Sequence, residues 1–160
     1  MLVKTLGSLG MLLFLVLLCL AIGQLGVFFM TPAHVNWYIS LQKPDWIPSH
    51  FIFLIGWSVF YVLTAVSVWL VWLRRETGCR AAFFCWVTQL FLNALWVPLF
   101  FGQQNVLTGL VMIGLLGLFT LITTVLFFRH SRFAAFLMLL YFFWILYAGM
   151  LNFAIWQLNR

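Results

Sequence analysis

Residues 106–128 read VLTGLVMIGLLGLFTLITTVLFF, an apolar run without a single charged side chain. The hydrocarbon core of a bilayer takes about 20 consecutive apolar residues in helical form, so this run alone predicts a membrane-spanning helix from Val106 to Phe128. Working outward, the same test predicts four more, at Thr5 to Met30, Phe51 to Leu73, Ala81 to Phe101 and Phe133 to Leu158. Together they use most of the 160 residues. The expected fold is therefore all-α: a single domain over 1–160, an integral membrane bundle of five transmembrane helices with a structured loop between helices 1 and 2. The remaining connections are short, which predicts that sequential helices are antiparallel neighbours. No internal repeat points to an inverted-repeat transporter.

Composition excludes a soluble domain. Hydrophobic residues make up 66% of the chain and charged residues 6%, where soluble domains carry about 25% charged residues. The net charge of +6 comes from eight basic and two acidic residues. These scattered charges make no stripe for nucleic acid, so no nucleic-acid partner is expected. In a chain this apolar the basic excess reads as an orientation signal. One side of the membrane holds Lys4, Arg74, Arg75, Arg80, Arg129 and Arg132, and the other holds Lys43 and Arg160. That imbalance predicts a cytoplasmic amino terminus, with the first loop and the carboxyl terminus outside. Lys4 ahead of Leu9 to Ile22 has the look of a secretory signal, but the apolar stretch runs on through Phe29 and no small-x-small cleavage site follows, so the span is expected to be retained. Cys19, Cys79 and Cys85 show no CxxC spacing, and neither a disulfide nor a zinc site is expected.

No span has an Asp, Lys or Arg in its middle, where each would cost about 2.5–3.5 kcal/mol. That argues against a proton-driven pump. His34, His50 and His130 sit at span ends, so no pair is placed to clamp a buried haem. The spans instead carry neutral polar and aromatic side chains at helical spacing. Gln89, Asn93 and Trp96 share one face, Trp57 and Tyr61 another, and Tyr141, Trp144, Ala148 and Asn152 a third. Two readings stand at this level: interhelical glue, at about 1 kcal/mol per polar contact, or the lining of a ligand pocket. Micromolar affinity takes about 8 kcal/mol, more than one buried amide contributes. Ring contacts of about 0.5–1.5 kcal/mol each would have to dominate, so the guest would be flat and largely apolar, with Asn93 setting its orientation. Porphyrins and sterols both fit. The first connection, Thr31 to His50, is the only sizeable polar segment; its Pro44 and Pro48 stiffen the backbone around Trp46, which predicts a lid over the outer mouth. Lys43 faces either a ligand carboxylate or water, and Trp69, Trp72 and Trp156 are expected in the interfacial belt.

The segment WYISLQKPDWIP at 37–48, Trp57 and Tyr61, QLFLNALW at 89–96, PLFFG at 98–102, YFFW at 141–144, and Leu151-Asn152-Phe153 with Trp156 resemble the tryptophan-rich sensory protein and translocator protein (TspO/MBR) family. The resemblance covers essentially the whole chain. It implies a bacterial membrane receptor or sensor that binds tetrapyrroles, protoporphyrin or haem, as ligands, with no obligatory cofactor. Animal members bind cholesterol and benzodiazepine-type drugs. It implies a pocket beneath the first loop formed by Trp37, Trp46, Trp57, Tyr61, Asn93, Trp96, Trp144 and Ala148, to which the helical stripe adds Tyr141. Facilitated porphyrin or sterol transport and light-dependent porphyrin degradation are the alternatives it leaves open; no catalytic residue or metal ligand stands out. A homodimer is also implied, consistent with small residues at Gly78, Ala82 and Cys85. Three positions depart from the family pattern. Ser49 and Leu140 stand where prolines are common, which predicts a looser lid and a straighter fifth span, and Phe153 replaces the central tyrosine of a cholesterol motif.

Overall fold

The computed structural model describes residues 2–28, 30–74 and 78–160, with side chains at 6–26, 30–74 and 78–160. Arg75, Phe29 and the side chains of Lys4 and Thr5 lie outside the described residues. The elements are α1 (Leu2–Phe28), α2 (Pro32–Ser40), α3 (His50–Arg74), α4 (Cys79–Val97), a π-helical turn (Pro98–Gly102), α5 (Val106–Phe128) and α6 (Arg132–Leu158). Among the described residues five helices are long and apolar enough to cross a membrane, the third running Cys79–Gly102 and taking in the π-turn. The span limits read from the sequence hold to within a few residues, and α6 runs unbroken through Leu140. Helix starts follow side-chain chemistry. Asn105 Oδ1 accepts from the backbone N–H groups of Leu107 and Thr108, at 3.0 and 3.2 Å, and Ser131 Oγ accepts from Ala134 N at 3.3 Å. At the start of α3, Ser49 Oγ accepts from Ile52 N at 3.4 Å.

The five spans close into a ring in the order α1, α3, α6, α5, α4, and back to α1. Sequence neighbours α5 and α6 pack along their lengths, as do α4 and α5, but α3 and α4 meet only sparsely. The expectation that every short connection joins packed neighbours is therefore corrected for this pair. A short loop limits the distance between two helix ends, not the directions in which the helices then run. Here α1 lies between α3 and α4 on one side of the ring, with α6 and α5 on the other.

Toward the end carrying Arg74, Arg80, Arg129 and Arg132, the core is packed with buried side chains, Phe127 and Trp86 among smaller ones. Cys19, Ala65, Val71, Phe127, Ala134 and Met138 are almost completely buried. Buried hydroxyls here find partners: Ser67 Oγ donates to Ala134 O at 2.7 Å, tying α3 to α6, while Thr120 and Thr124 donate to the carbonyls of Leu116 and Thr120 on their own helix. Trp86 Nε1 donates to Thr64 Oγ1 at 3.0 Å. Outward-facing positions such as Phe84, Val87 and Phe91 on α4 are large and apolar, as expected of a lipid-facing surface.

Candidate functional site

The half of the bundle under the lid is shaped by the break at Pro98. Proline has no N–H to continue the i→i−4 ladder, and the chain widens into the π-turn. The turn aims Phe100 inward, where it is 1% exposed and stacks on Trp96 with centroids 4.8 Å apart and planes 11° from parallel. Trp96 Nε1 in turn donates to Gly109 O at 3.1 Å. Position 109 must be glycine-sized, because a Cβ there would overlap the Phe100 ring. The end of α4 and the start of α5 thus form one rigid aromatic wall.

On the opposite wall, α3 presents Phe53, Trp57 and Tyr61 in a ladder, with centroid separations of 6.0 and 5.7 Å. Gly23 of α1 leaves room for the Tyr61 ring. Tyr61 donates its phenol proton to Asn93 Oδ1 at 2.6 Å, and Asn93 Nδ2 donates to the Tyr141 oxygen at 2.7 Å. One amide therefore bridges α3, α4 and α6. Of the two readings of Asn93, glue is directly visible, and it coexists with a place on the wall of a cavity.

That cavity has a volume of about 430 Å³, within the range of about 300–1,000 Å³ of small-molecule sites. Trp57, Tyr61, Asn93, Trp96 and Ala148 line it. Four other residues singled out from the sequence lie around it and not on its wall. Trp37 packs edge-on against Phe100, centroids 5.4 Å apart, on the lid side. Trp46 is half exposed and leans on Tyr147 at 6.0 Å. Trp144 stands behind Trp57, perpendicular to it at 6.1 Å, and stacks on Phe60 at 5.1 Å; Gly56 gives its ring space. Tyr141 is fully buried behind Asn93. Gln89 is also fully buried and does not reach the cavity. Tyr38, His50, Phe53 and Phe100, which were not selected from the sequence, line the cavity, and so does Asn152. The signal for Phe100 was Pro98, two residues before it; Asn152 was already on the α6 stripe.

The lid contains a helix that was not expected. Thr31 caps α2, with Thr31 Oγ1 accepting from His34 N and His34 Nδ1 accepting from Thr31 N, and Pro32 supplies the fixed φ of the first turn. Tyr38 packs on Phe101, centroids 5.5 Å apart, and burial pushes its phenol pKa up. Lys43 lies over the Tyr38 ring at 4.7 Å and donates to the carbonyls of Ile39 and Leu41 at 3.2 and 3.0 Å, so its ammonium group is held by the lid itself. A side chain from the far end of the chain latches the lid. Asn159 Oδ1 accepts from Gln42 N, and Asn159 Nδ2 donates to Gln42 O, both at 2.9 Å.

The sequence profile of the TspO/MBR family matches residues 15–157. The chain belongs to the TspO/MBR family. It is 40% identical over 147 residues to the tryptophan-rich protein TspO of Archaeoglobus fulgidus, covering 90% of this chain and 94% of that protein. It is 34% identical over 144 residues to protein CrtK of Rhodobacter capsulatus, covering 88% of each. The translocator protein of Homo sapiens is 31% identical over 131 residues, covering 79% of this chain and 76% of the human one. With its five apolar helices, this TspO/MBR chain is a multi-pass membrane protein.

Proposed function

We propose that this TspO/MBR protein is a membrane receptor that binds a tetrapyrrole, protoporphyrin or haem, in the cavity beneath its lid. The observation that carries the reading is the pairing of two aromatic walls, Phe53-Trp57-Tyr61 and Trp96-Phe100, across one cavity whose lining is mostly apolar. A flat macrocycle gains burial of both faces and edge or stacking contacts of about 0.5–1.5 kcal/mol per ring. Ala148 and Gly26 put small residues on the same lining. The test is titration of protoporphyrin into purified protein while tryptophan fluorescence is followed. Saturable quenching is expected, with the largest loss of signal in Trp57→Phe and Trp96→Phe. Quenching that neither saturates nor responds to these replacements in folded protein would overturn the assignment.

The amino terminus is assigned to the cytoplasm and the lid to the outside. This assignment is supported by Arg74, Arg80, Arg129 and Arg132 at one end of the bundle against Lys43 and Arg160 at the other. A membrane-impermeant thiol reagent on intact cells, with single cysteines placed at Asn36 and at His130, checks it. The homodimer now rests on a smaller patch than the sequence offered. Ala82 is buried in the chain's own core, which leaves Gly78 and Cys85 for a partner. Crosslinking through Cys85 in membranes tests that face.

A further inference from the structure

The polar groups of the cavity are not equivalent. Tyr61 and Asn93 satisfy each other, with Tyr141 behind them, and the Trp96 indole N–H is taken by Gly109 O. Asn152 differs. It lines the cavity, is only 4% exposed, and its Oδ1 has no hydrogen-bond partner among the described residues. Its Nδ2 lies close to Gly109, on the side of the Phe100 ring. A buried carbonyl without a donor is unfavourable until something supplies one, and within a cavity that something is the guest.

We propose that Asn152 is a specificity-determining residue of the cavity, its carbonyl accepting a hydrogen bond from an N–H or O–H on the apolar body of the guest. Flat guests that carry such a donor are selected over donor-free guests of the same shape. The inference rests on the tetrapyrrole reading above and deepens it. For a tetrapyrrole the donors are the central pyrrole N–H groups, which tilt out of the ring plane toward an acceptor over the face. Inserting a metal replaces both protons. The site therefore favours the metal-free ring over a metal complex that binds axial ligands weakly.

The experiment compares protoporphyrin with its copper(II) complex on the full chain in nanodiscs. The two guests have the same outline and the same propionates, and copper(II) in the ring takes axial ligands poorly. Wild-type protein is expected to bind the metal-free ring about tenfold more tightly. Asn152→Leu, of similar volume, is expected to abolish that preference by weakening the metal-free ring alone. Asn152→Asp, which keeps an acceptor of the same shape, is expected to retain it. Equal affinities of both rings for wild type, or a preference that survives Asn152→Leu, would overturn the role of Asn152 while leaving the receptor reading intact. Failure of wild type to bind either ring would overturn both.

Discussion

The two halves of the bundle are built from the same five helices, yet one is packed around buried aliphatic side chains and the other encloses the aromatic-walled cavity. Toward the arginine-rich end, residues such as Ala65, Val71, Ala134 and Met138 are buried against one another, and the hydroxyls of Ser67, Thr64 and Thr120 are each satisfied. Under the lid, large rings are held at fixed angles by one another and by glycines at 23, 56 and 109. Small side chains fill a volume from any direction, whereas a propped indole or phenyl ring keeps its plane and leaves a gap beside it. Rigid rings with small residues between them are therefore the device that keeps this cavity open in a protein interior that would otherwise close.

That contrast predicts separable effects in the two halves. The largest is expected in the aliphatic half. Met138→Ala should lower stability by about 2–5 kcal/mol, because the emptied volume cannot collapse among fixed neighbours. Protoporphyrin affinity per folded molecule should be unchanged. Denaturant titration of the detergent-solubilised protein, run beside the binding titration, measures both; an affinity that falls with stability would break the division. Conversely, Ala148→Leu should fill the cavity and weaken protoporphyrin binding about 100-fold, which is about 2.7 kcal/mol, with little change in the unfolding midpoint. Fluorescence titration decides it.

Asn93 lies on the boundary and should affect both properties. Asn93→Leu strands the Tyr61 and Tyr141 hydroxyls and is expected to cost about 1–3 kcal/mol of stability, together with a loss of binding as the Tyr61 ring is freed. A variant that loses binding with stability intact would show Asn93 to be purely a ligand contact. The smallest effect concerns the lid. Asn159→Ala removes a two-way contact at the exposed end of the bundle, worth about 1 kcal/mol. It should speed protoporphyrin release about fivefold in stopped-flow measurements and change the association rate little. An unchanged release rate would mean that the packing of Trp37 and Tyr38 on Phe100 and Phe101 holds the lid without the latch.

Much of this was legible in the residues. The five spans were readable because a membrane helix must satisfy its backbone internally and hide it among about 20 apolar side chains, a condition met locally. The helical faces bearing Trp57 and Tyr61, and Asn93 and Trp96, were readable because spacing alone decides which residues share a face. The lid helix was missed although Thr31-Pro32 ahead of His34 carried its capping signal. Trp144 and Tyr141 were rightly assigned to a common stripe, but the stripe is wider than the wall of the cavity, and both rings support residues that line it.

The chain by itself determined how many helices cross the membrane, where they begin and end, and which side chains each face carries, because those properties depend on neighbours within a few turns. Only the tertiary structure decided the ring order that separates α3 from α4, the inward aim of Phe100, and the reach of Asn159 back to Gln42 across 117 positions. In a chain this uniformly apolar, many helix arrangements bury similar area. The choice among them is made by where individual rings, glycines and amides fit against partners distant in sequence.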